Sequence, residues 1–194
     1  MNISWDRHGS IEVAKTLVEI LEQYPTDKLN SGYGEFYEEL FSPLRHTALH
    51  ILEIGIAQGG SLRAWRDYFT KAEIYGLDKE KDFVDEAREY RIRTFWIDAS
   101  SWAELSGWVY EREFDVIIDD GSHKGIDVIN AFAILWPKIK SKGYYIIEDV
   151  ASSRPHYSSV CDYFADFVET TILSDGSATA QLIFRPNMIV LQKK

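Results

Sequence analysis

A chain of 194 residues is long enough to bury a core as one domain, and its net charge of −10 argues against a nucleic-acid partner. Cys161 is the single cysteine, which excludes an internal disulfide framework and fits a reducing compartment. No apolar run approaches the roughly 18 residues of a membrane span, and residues 1–7 lack the apolar segment of a secretory signal. We therefore expect a cytoplasmic protein that has no membrane partner.

The first 45 residues predict a helical cap that precedes the main domain. Ser10 is the expected N-cap of a first helix, because Ile11, Leu17 and Leu21 fall on one apolar stripe at helical spacing. A polar stretch that contains glycine follows, and Glu35–Phe41 is the expected second helix. Residues 46–194 then form the predicted core, and the two parts together make a single domain.

Strand-like and helix-like segments alternate from Leu49 onward. The expected strands are Leu49–Ile54, Glu73–Asp78, Arg93–Asp98, Phe114–Ile118 and Tyr144–Ile147, and the expected helices are Ser61–Phe69, Asp82–Tyr90, Trp102–Tyr110, Ile126–Ile139 and Pro155–Ile172. Such alternation is typical of a mostly parallel sheet with helices on both faces. Thr179–Phe184 and Met188–Leu191 add an antiparallel hairpin. The predicted fold class is therefore α/β, with a Rossmann-like, doubly wound, seven-stranded sheet.

Acidic residues follow two of the expected strands, where the chain reads Ile-Ile-Asp-Asp-Gly-Ser-His and Ile-Ile-Glu-Asp. Ligands of open α/β sheets bind beyond the carboxyl ends of the strands, so we expect these side chains to share one crevice. They are Asp119, Asp120, His123, Glu148 and Asp149. Carboxylates beside an imidazole indicate a site for a hard metal ion next to a general base, and therefore an enzyme.

The turn after the first core strand reads Glu53-Ile-Gly-Ile-Ala-Gln-Gly-Gly-Ser61. Its glycines allow a ligand to approach the backbone, and the following helix offers free N–H groups to an anion. Ala57 stands where a dinucleotide-binding fingerprint has its second glycine, which disfavours a large pyrophosphate. Glu53 suits a ligand that carries an ammonium group, Asp78 can accept ribose hydroxyls, and Asp98 can contact an adenine edge.

Four segments together resemble a known family. They are Thr26-Asp-Lys28 with Phe41-Ser-Pro-Leu-Arg45, Leu52-Glu-Ile-Gly-Ile56 with Gly59-Gly-Ser-Leu-Arg63, Ile117-Ile-Asp-Asp-Gly-Ser-His123, and Ile146-Ile-Glu-Asp149. The chain resembles the class I S-adenosylmethionine-dependent methyltransferases over residues 24 to 194. Within that class it is most similar to the metal-dependent sugar O-methyltransferases of macrolide biosynthesis, of the macrocin and mycinamicin type.

The resemblance implies a role for each of the residues singled out. The implied cofactor site contains Glu53, Gly55, Gly60, Ser61, Asp78 and Asp98, and we add Asp119 to it. The implied magnesium ligands are Asp120, Glu148 and Asp149, and the implied general base is His123, which makes Asp120 and His123 the expected catalytic residues. The expected cofactors are S-adenosylmethionine and Mg²⁺.

The expected substrate is a sugar-like small molecule with a hydroxyl acceptor, which residues in the loop after Asp149 would contact: Arg154, His156 and Tyr157. Three other functions stay open: methylation of a catechol-type phenol, a non-catalytic S-adenosylmethionine-binding module, and a nicotinamide-dependent oxidoreductase. The glycine pattern argues against the oxidoreductase. A homo-oligomer is also possible, and the sequence does not decide it.

Overall fold

The computed structural model describes residues 3–5, 11–29, 31–153, 157–167, 170 and 179–194. Its strands are β1 (Ile3–Trp5), β2 (Ile11–Val13), β3 (His50–Ile54), β4 (Glu73–Asp78), β5 (Ile92–Trp96), β6 (Phe114–Asp119), β7 (Ile139–Ile147), β8 (Thr179–Arg185) and β9 (Met188–Lys193). Its α-helices are α1 (Leu17–Leu21), α2 (Tyr33–Phe41), α3 (Gly60–Tyr68), α4 (Lys81–Glu86), α5 (Trp102–Val109), α6 (Gly125–Leu135) and α7 (Tyr157–Phe167).

Strands β3 to β9 form one sheet in the order β5-β4-β3-β6-β7-β9-β8. Strands β5, β4, β3, β6 and β7 run parallel to one another, and β9 is antiparallel to both β7 and β8. Parallel neighbours need long crossover connections, which the helices provide. The predicted doubly wound α/β sheet with an antiparallel C-terminal hairpin is confirmed.

Both faces of the sheet are covered by helices. Alternate residues of a strand point to opposite faces, and along β3 Ile51 and Leu52 enter two different hydrophobic clusters. The Ile51 cluster contains Tyr37 of α2 and Trp65 of α3, and the Leu52 cluster contains Phe132 of α6. In the part of the chain that the structure describes, no helix has the length and apolar character needed to cross a bilayer.

The predicted first helix is wrong in its N-terminal half. Residues Ile11–Val13 pair with Ile3–Trp5 as an antiparallel strand, and the helix starts only at Leu17. Thr16 is the N-cap: its Oγ1 accepts a hydrogen bond from the Glu19 N–H, and the Glu19 carboxylate accepts one from the Thr16 N–H. This capping box fixes the start of the helix. Ser10, the expected cap, lies outside the described residues.

Three other boundaries differ from the expected ones by more than two residues. Helix α6 ends at Leu135, and Pro137 follows it in a short 3-10 turn because proline cannot donate the next helical hydrogen bond. The fifth core strand therefore begins at Ile139 rather than Tyr144. Helix α4 ends at Glu86, before Arg91 takes a φ of +60°. The expected helix Pro155–Ile172 is described only over Tyr157–Phe167, where it is helical.

Gly60 provides a test of the packing at the first turn of α3. A Cβ atom at this position would lie 2.0 Å from the Pro25 carbonyl oxygen. Gly60→Ala should therefore lower the free energy of unfolding by about 1–3 kcal/mol, as overpacked positions do. Urea denaturation measures this change.

Gly107→Ala is the matched control for this substitution. No atom lies within 4 Å of a Cβ built at Gly107, in the middle of α5. Alanine there should leave stability unchanged or raise it by up to about 1 kcal/mol, since alanine favours helices over glycine. Equal effects of the two substitutions would contradict the close approach of Pro25 to α3.

Candidate active site

A cavity of about 810 Å³ lies beyond the carboxyl ends of β3, β4 and β6. The sheet reverses its winding at β3, which has β4 on one side and β6 on the other. Crevices at such switch points are the usual ligand sites of open α/β sheets. The volume is within the range of pockets that hold small molecules and cofactors.

Most of the residues singled out in the sequence line this cavity. The lining includes Gly55, Gly60, Ser61, Asp78, Asp98, Asp119, Asp120 and His123. Glu53 instead lies fully buried behind the wall, where its carboxylate accepts a hydrogen bond of 2.7 Å from Trp65 Nε1. The segment Pro25–Asp27 also lines the cavity, which the sequence did not indicate.

The glycine turn is held by Asp78. Its Oδ2 accepts hydrogen bonds from the N–H groups of Ile56 and Ala57 at 3.0 and 3.3 Å. Gly55 has a φ of +78°, and a Cβ there would lie 2.1 Å from the Asp120 carbonyl oxygen. Only glycine fits this position, so the turn passes directly against the chain that carries the acids.

Two further acids, Asp98 and Asp119, line the cavity, and their pKa values are shifted in opposite directions. Asp98 Oδ1 accepts hydrogen bonds from the Ser100 hydroxyl and N–H, which lower the pKa of the Asp98 carboxyl. Asp119 is buried and accepts a hydrogen bond from the Tyr145 hydroxyl at 3.1 Å. Burial raises the pKa of Asp119 to about 7. A neutral Asp119 carboxyl can donate a hydrogen bond as well as accept one.

Lys28 lies at the centre of the acidic end of the sheet. Its side chain is 1% exposed, and its Nζ lies 3.2 Å from Glu53 Oε1, 3.0 Å from Asp120 Oδ2 and 2.8 Å from Glu148 Oε2. The three carboxylates raise the pKa of Lys28, although burial opposes them. A buried ammonium therefore lies among acids from three adjacent strands and offsets part of their charge.

Both carboxylate oxygens of Glu148 are engaged in this structure. Lys28 Nζ donates to Oε1 and Oε2 at 2.9 and 2.8 Å, and the Tyr37 hydroxyl also donates to Oε1. Burial raises the pKa of Glu148, and Lys28 opposes that change. These hydrogen bonds fix Glu148 at the buried side of the acids that surround Lys28.

Asp120, His123 and Asp149 form the group best placed to hold a metal ion. Each offers one ligand atom, and these atoms lie within 4.8 Å of one another. His123 Nε2 is 4.0 Å from Asp120 Oδ1, and the His123 side chain is 30% exposed. Two of the three are carboxylates with partial access to solvent, whose oxygens are the donors that Mg²⁺ prefers, so the residues present fit a hard divalent cation.

Asp149 is held from two sides by residues that sequence reasoning missed. Its Oδ1 accepts hydrogen bonds from the Tyr33 hydroxyl and from Asn187 Nδ2, each at 2.7 Å. Tyr33 and Asn187, together with Tyr37 and Lys28, form the polar network around Glu148 and Asp149. Of these four residues the sequence indicated only Lys28, which belongs to the Thr26-Asp-Lys28 segment but was given no role.

The expected substrate contacts lie in a different segment. Arg154 and His156 lie outside the described residues, and the structure does not describe the side chain of Tyr157.

Comparison with known proteins identifies similar chains. Residues 52–150 match the family described as "Methyltransferase domain". The mycinamicin VI 2''-O-methyltransferase of Micromonospora griseorubida is 37% identical over 146 residues, which are 69% of this chain and 36% of that protein. A tetracenomycin-pathway rhamnosyl 2'-O-methyltransferase of Streptomyces olivaceus is 37% identical over 131 residues, which are 62% of this chain and 34% of that protein.

A solved structure shares the fold at higher coverage. The MycE methyltransferase in complex with Mg, S-adenosylhomocysteine and mycinamycin VI superimposes with a TM-score of 0.83 and 27% identity. The match covers 92% of this chain and 54% of that one. The chain therefore spans from about a third to about half of the length of these relatives.

Lys28→Met tests the buried ion cluster. Removing the ammonium leaves Glu53, Asp120 and Glu148 without their cation, and breaking a buried ion pair in this way costs about 3–5 kcal/mol. The melting temperature should fall sharply. Added Mg²⁺ should raise it more in the variant than in the wild type, because a divalent cation can replace the lost charge.

Lys140→Met is the matched control for the loss of Lys28. Lys140 pairs with Asp115 at 2.8 Å, but its side chain is 36% exposed. Surface pairs contribute about 0–1 kcal/mol, so this variant should melt close to the wild type. A Lys28→Met protein that melted like the Lys140→Met protein would contradict the central role of the buried ammonium.

Proposed function

We propose, from the premise that this chain belongs to the methyltransferase-domain family, that it methylates a hydroxyl oxygen of a sugar-like small molecule with S-adenosylmethionine and Mg²⁺. One observation carries the proposal. Potential ligand atoms of Asp120, His123 and Asp149 lie within 4.8 Å of one another, and Asp120 and His123 also line the large cavity at the sheet switch point. The proposed cofactor site and the proposed metal site would therefore share these two residues.

The cavity fits the cofactor through its turn and its acids. Gly55, Gly60 and Ser61 allow the nucleoside to approach the backbone. Asp78 Oδ2 binds the turn and its Oδ1 accepts from the Glu80 N–H, which leaves a further lone pair on Oδ1 for a ribose hydroxyl. Asp98 is assigned to the adenine edge, and Asp119 is assigned to the cofactor site without a specific contact. Glu53 lies behind the cavity wall, so it would act on the cofactor site through its ion pair with Lys28 rather than by direct contact with the cofactor.

Asp120, Glu148 and Asp149 are the residues that would hold the metal ion. Asp120 and Asp149 already face one another, while Glu148 lies against Lys28. When both are bound, the cofactor would supply an electrophilic methyl group and the cation would make the acceptor hydroxyl more acidic. The protein would hold the acceptor in line and exclude water from the reacting atoms.

His123 is the proposed general base. Its Nε2 would take the proton from the acceptor hydroxyl, and Asp120, with Oδ1 at 4.0 Å, would stabilise the imidazolium that forms. The partial exposure of His123 lets the proton leave to solvent afterwards. No covalent enzyme intermediate is required, because the methyl group moves in one displacement.

The proposed acceptor class rests on the relatives. The tetracenomycin relative is named for 2'-O-methylation of a rhamnosyl compound, and the mycinamicin relative is named for 2''-O-methylation of mycinamicin VI. A sugar diol and a catechol offer the same pair of adjacent oxygens to a cation, so an acceptor screen has to contain both. Turnover of catechols with no turnover of glycosides would replace the sugar assignment by the phenol assignment.

A calorimetric titration with S-adenosylhomocysteine tests the cofactor assignment. In buffer that contains Mg²⁺, the folded protein should show saturable binding at one site with micromolar affinity. The physical reason is the pre-formed cavity and its glycine turn. The absence of heat at high ligand concentration, from protein shown to be folded by circular dichroism, would remove the methyltransferase proposal.

His123→Ala tests the general base. Removal of a positioned base typically costs about 10²–10⁴-fold in rate, so kcat should fall by that factor while S-adenosylhomocysteine binds nearly as before. His46→Ala is the control, because His46 is exposed and its ring contacts only Thr70 among the described residues. If the His123 variant turned over at the rate of the His46 variant, another group would have to accept the proton.

A further inference from the structure

The turn between β8 and β9 lies beside Asp149, which follows the carboxyl end of β7. Strand β9 pairs with β7 so that Ile189 lies opposite Ile147. Continuing this antiparallel register by two residues brings Asn187 opposite Asp149. Asn187 has a φ of +61°, a left-handed conformation that asparagine tolerates better than most residues. The C-terminal hairpin thus presents one side chain to the proposed metal site.

Asn187 contacts this segment with both its side chain and its backbone. Its Nδ2 donates to Asp149 Oδ1 at 2.7 Å and to the Tyr33 hydroxyl at 3.0 Å. Its Oδ1 accepts from the Ala151 N–H at 2.6 Å, and its carbonyl oxygen accepts from the Val150 N–H at 3.2 Å. Three of these hydrogen bonds therefore hold residues 149 to 151, and the fourth joins Asn187 to Tyr33.

Asp149 needs such support because its backbone is in an unfavourable conformation. Its φ is +53°, which costs free energy for a residue other than glycine and persists only where the surroundings enforce it. Among the described residues, both side-chain donors to the carboxylate, Tyr33 and Asn187, reach Oδ1. Oδ2 is thereby left as the oxygen available to a cation that Asp120 would also bind.

We propose that Asn187 is a positioning residue that orients Asp149 for divalent-cation binding. This inference rests on the proposed function, in which Asp149 is a metal ligand. Asn187 acts through Asp149 and touches neither the cation nor the reacting atoms. Hydrogen-bond partners of metal ligands typically contribute 10–100-fold to metal affinity, and that range sets the expected effect.

Asn187→Gly is the direct test. Glycine accepts the left-handed backbone without strain and removes only the amide. Binding of Mn²⁺ alone to the full chain, followed by electron paramagnetic resonance, should weaken about 10–100-fold. Affinity for S-adenosylhomocysteine should not change, because Asn187 does not line the cavity. Activity should return at high Mg²⁺ concentration, which a merely unstable variant would not show.

Lys142→Gly is the matched control, and Asn187→Ser is the second variant. Lys142 also has a left-handed backbone, with a φ of +65°, but it is exposed on β7 and away from the acids, so Mn²⁺ binding should equal that of the wild type. Serine keeps a short polar side chain in the turn that stops short of Asp149. It should weaken Mn²⁺ binding in the same direction, even if the glycine variant folds poorly.

The outcomes separate this inference from the proposed function. Wild-type Mn²⁺ affinity in either folded Asn187 variant would overturn the positioning role and leave the metal site standing. Failure of the wild type itself to bind Mn²⁺ would overturn the metal-dependent function and this inference with it. Weaker Mn²⁺ binding that extra Mg²⁺ cannot compensate in the activity assay would also contradict a role through Asp149.

Discussion

The buried ammonium of Lys28 is the interaction on which the site depends. Carboxylates from three neighbouring strand ends converge on it, and buried acids of like charge would otherwise repel one another in a medium that screens them weakly. The residues just before it, Pro25–Asp27, line the cavity. One short segment therefore forms part of the cavity wall and carries the cation that the acids surround.

Parallel topology explains why the acids meet at all. In the sheet, Asp119 pairs with Ile54 on one side and Ile147 on the other, so β3, β6 and β7 end at the same level. The chain must then turn away sharply, and His123 and Asp149 do so with φ values of +54° and +53°. Such strain is maintained only by surrounding contacts, and at these two positions it falls on residues proposed to carry the chemistry.

Apolar periodicity was enough to predict the sheet and its closing hairpin, and the glycine turn, the strand-end acids and the histidine beside them marked eight of the residues that line the cavity. The role of Lys28 could not be predicted in this way, because its hydrogen-bond partners Asp120 and Glu148 lie 92 and 120 residues away in the sequence. Local patterns carry no information on such pairs. The first helix was misjudged for a related reason: Ile11 fits a helical stripe equally well, and pairing with Trp5 decides its conformation.

Two remote parts of the chain control different properties of the same acidic edge. Lys28, from the N-terminal side, sets the charge that Asp120 and Glu148 experience, whereas Asn187, from the C-terminal hairpin, sets the direction of Asp149. Charge acts over several ångströms, but ligand direction requires a short hydrogen bond. Loss of the first should disturb the fold and the cavity together, while loss of the second should disturb cation binding alone. The stability of the site and its chemistry can therefore vary independently within one fold.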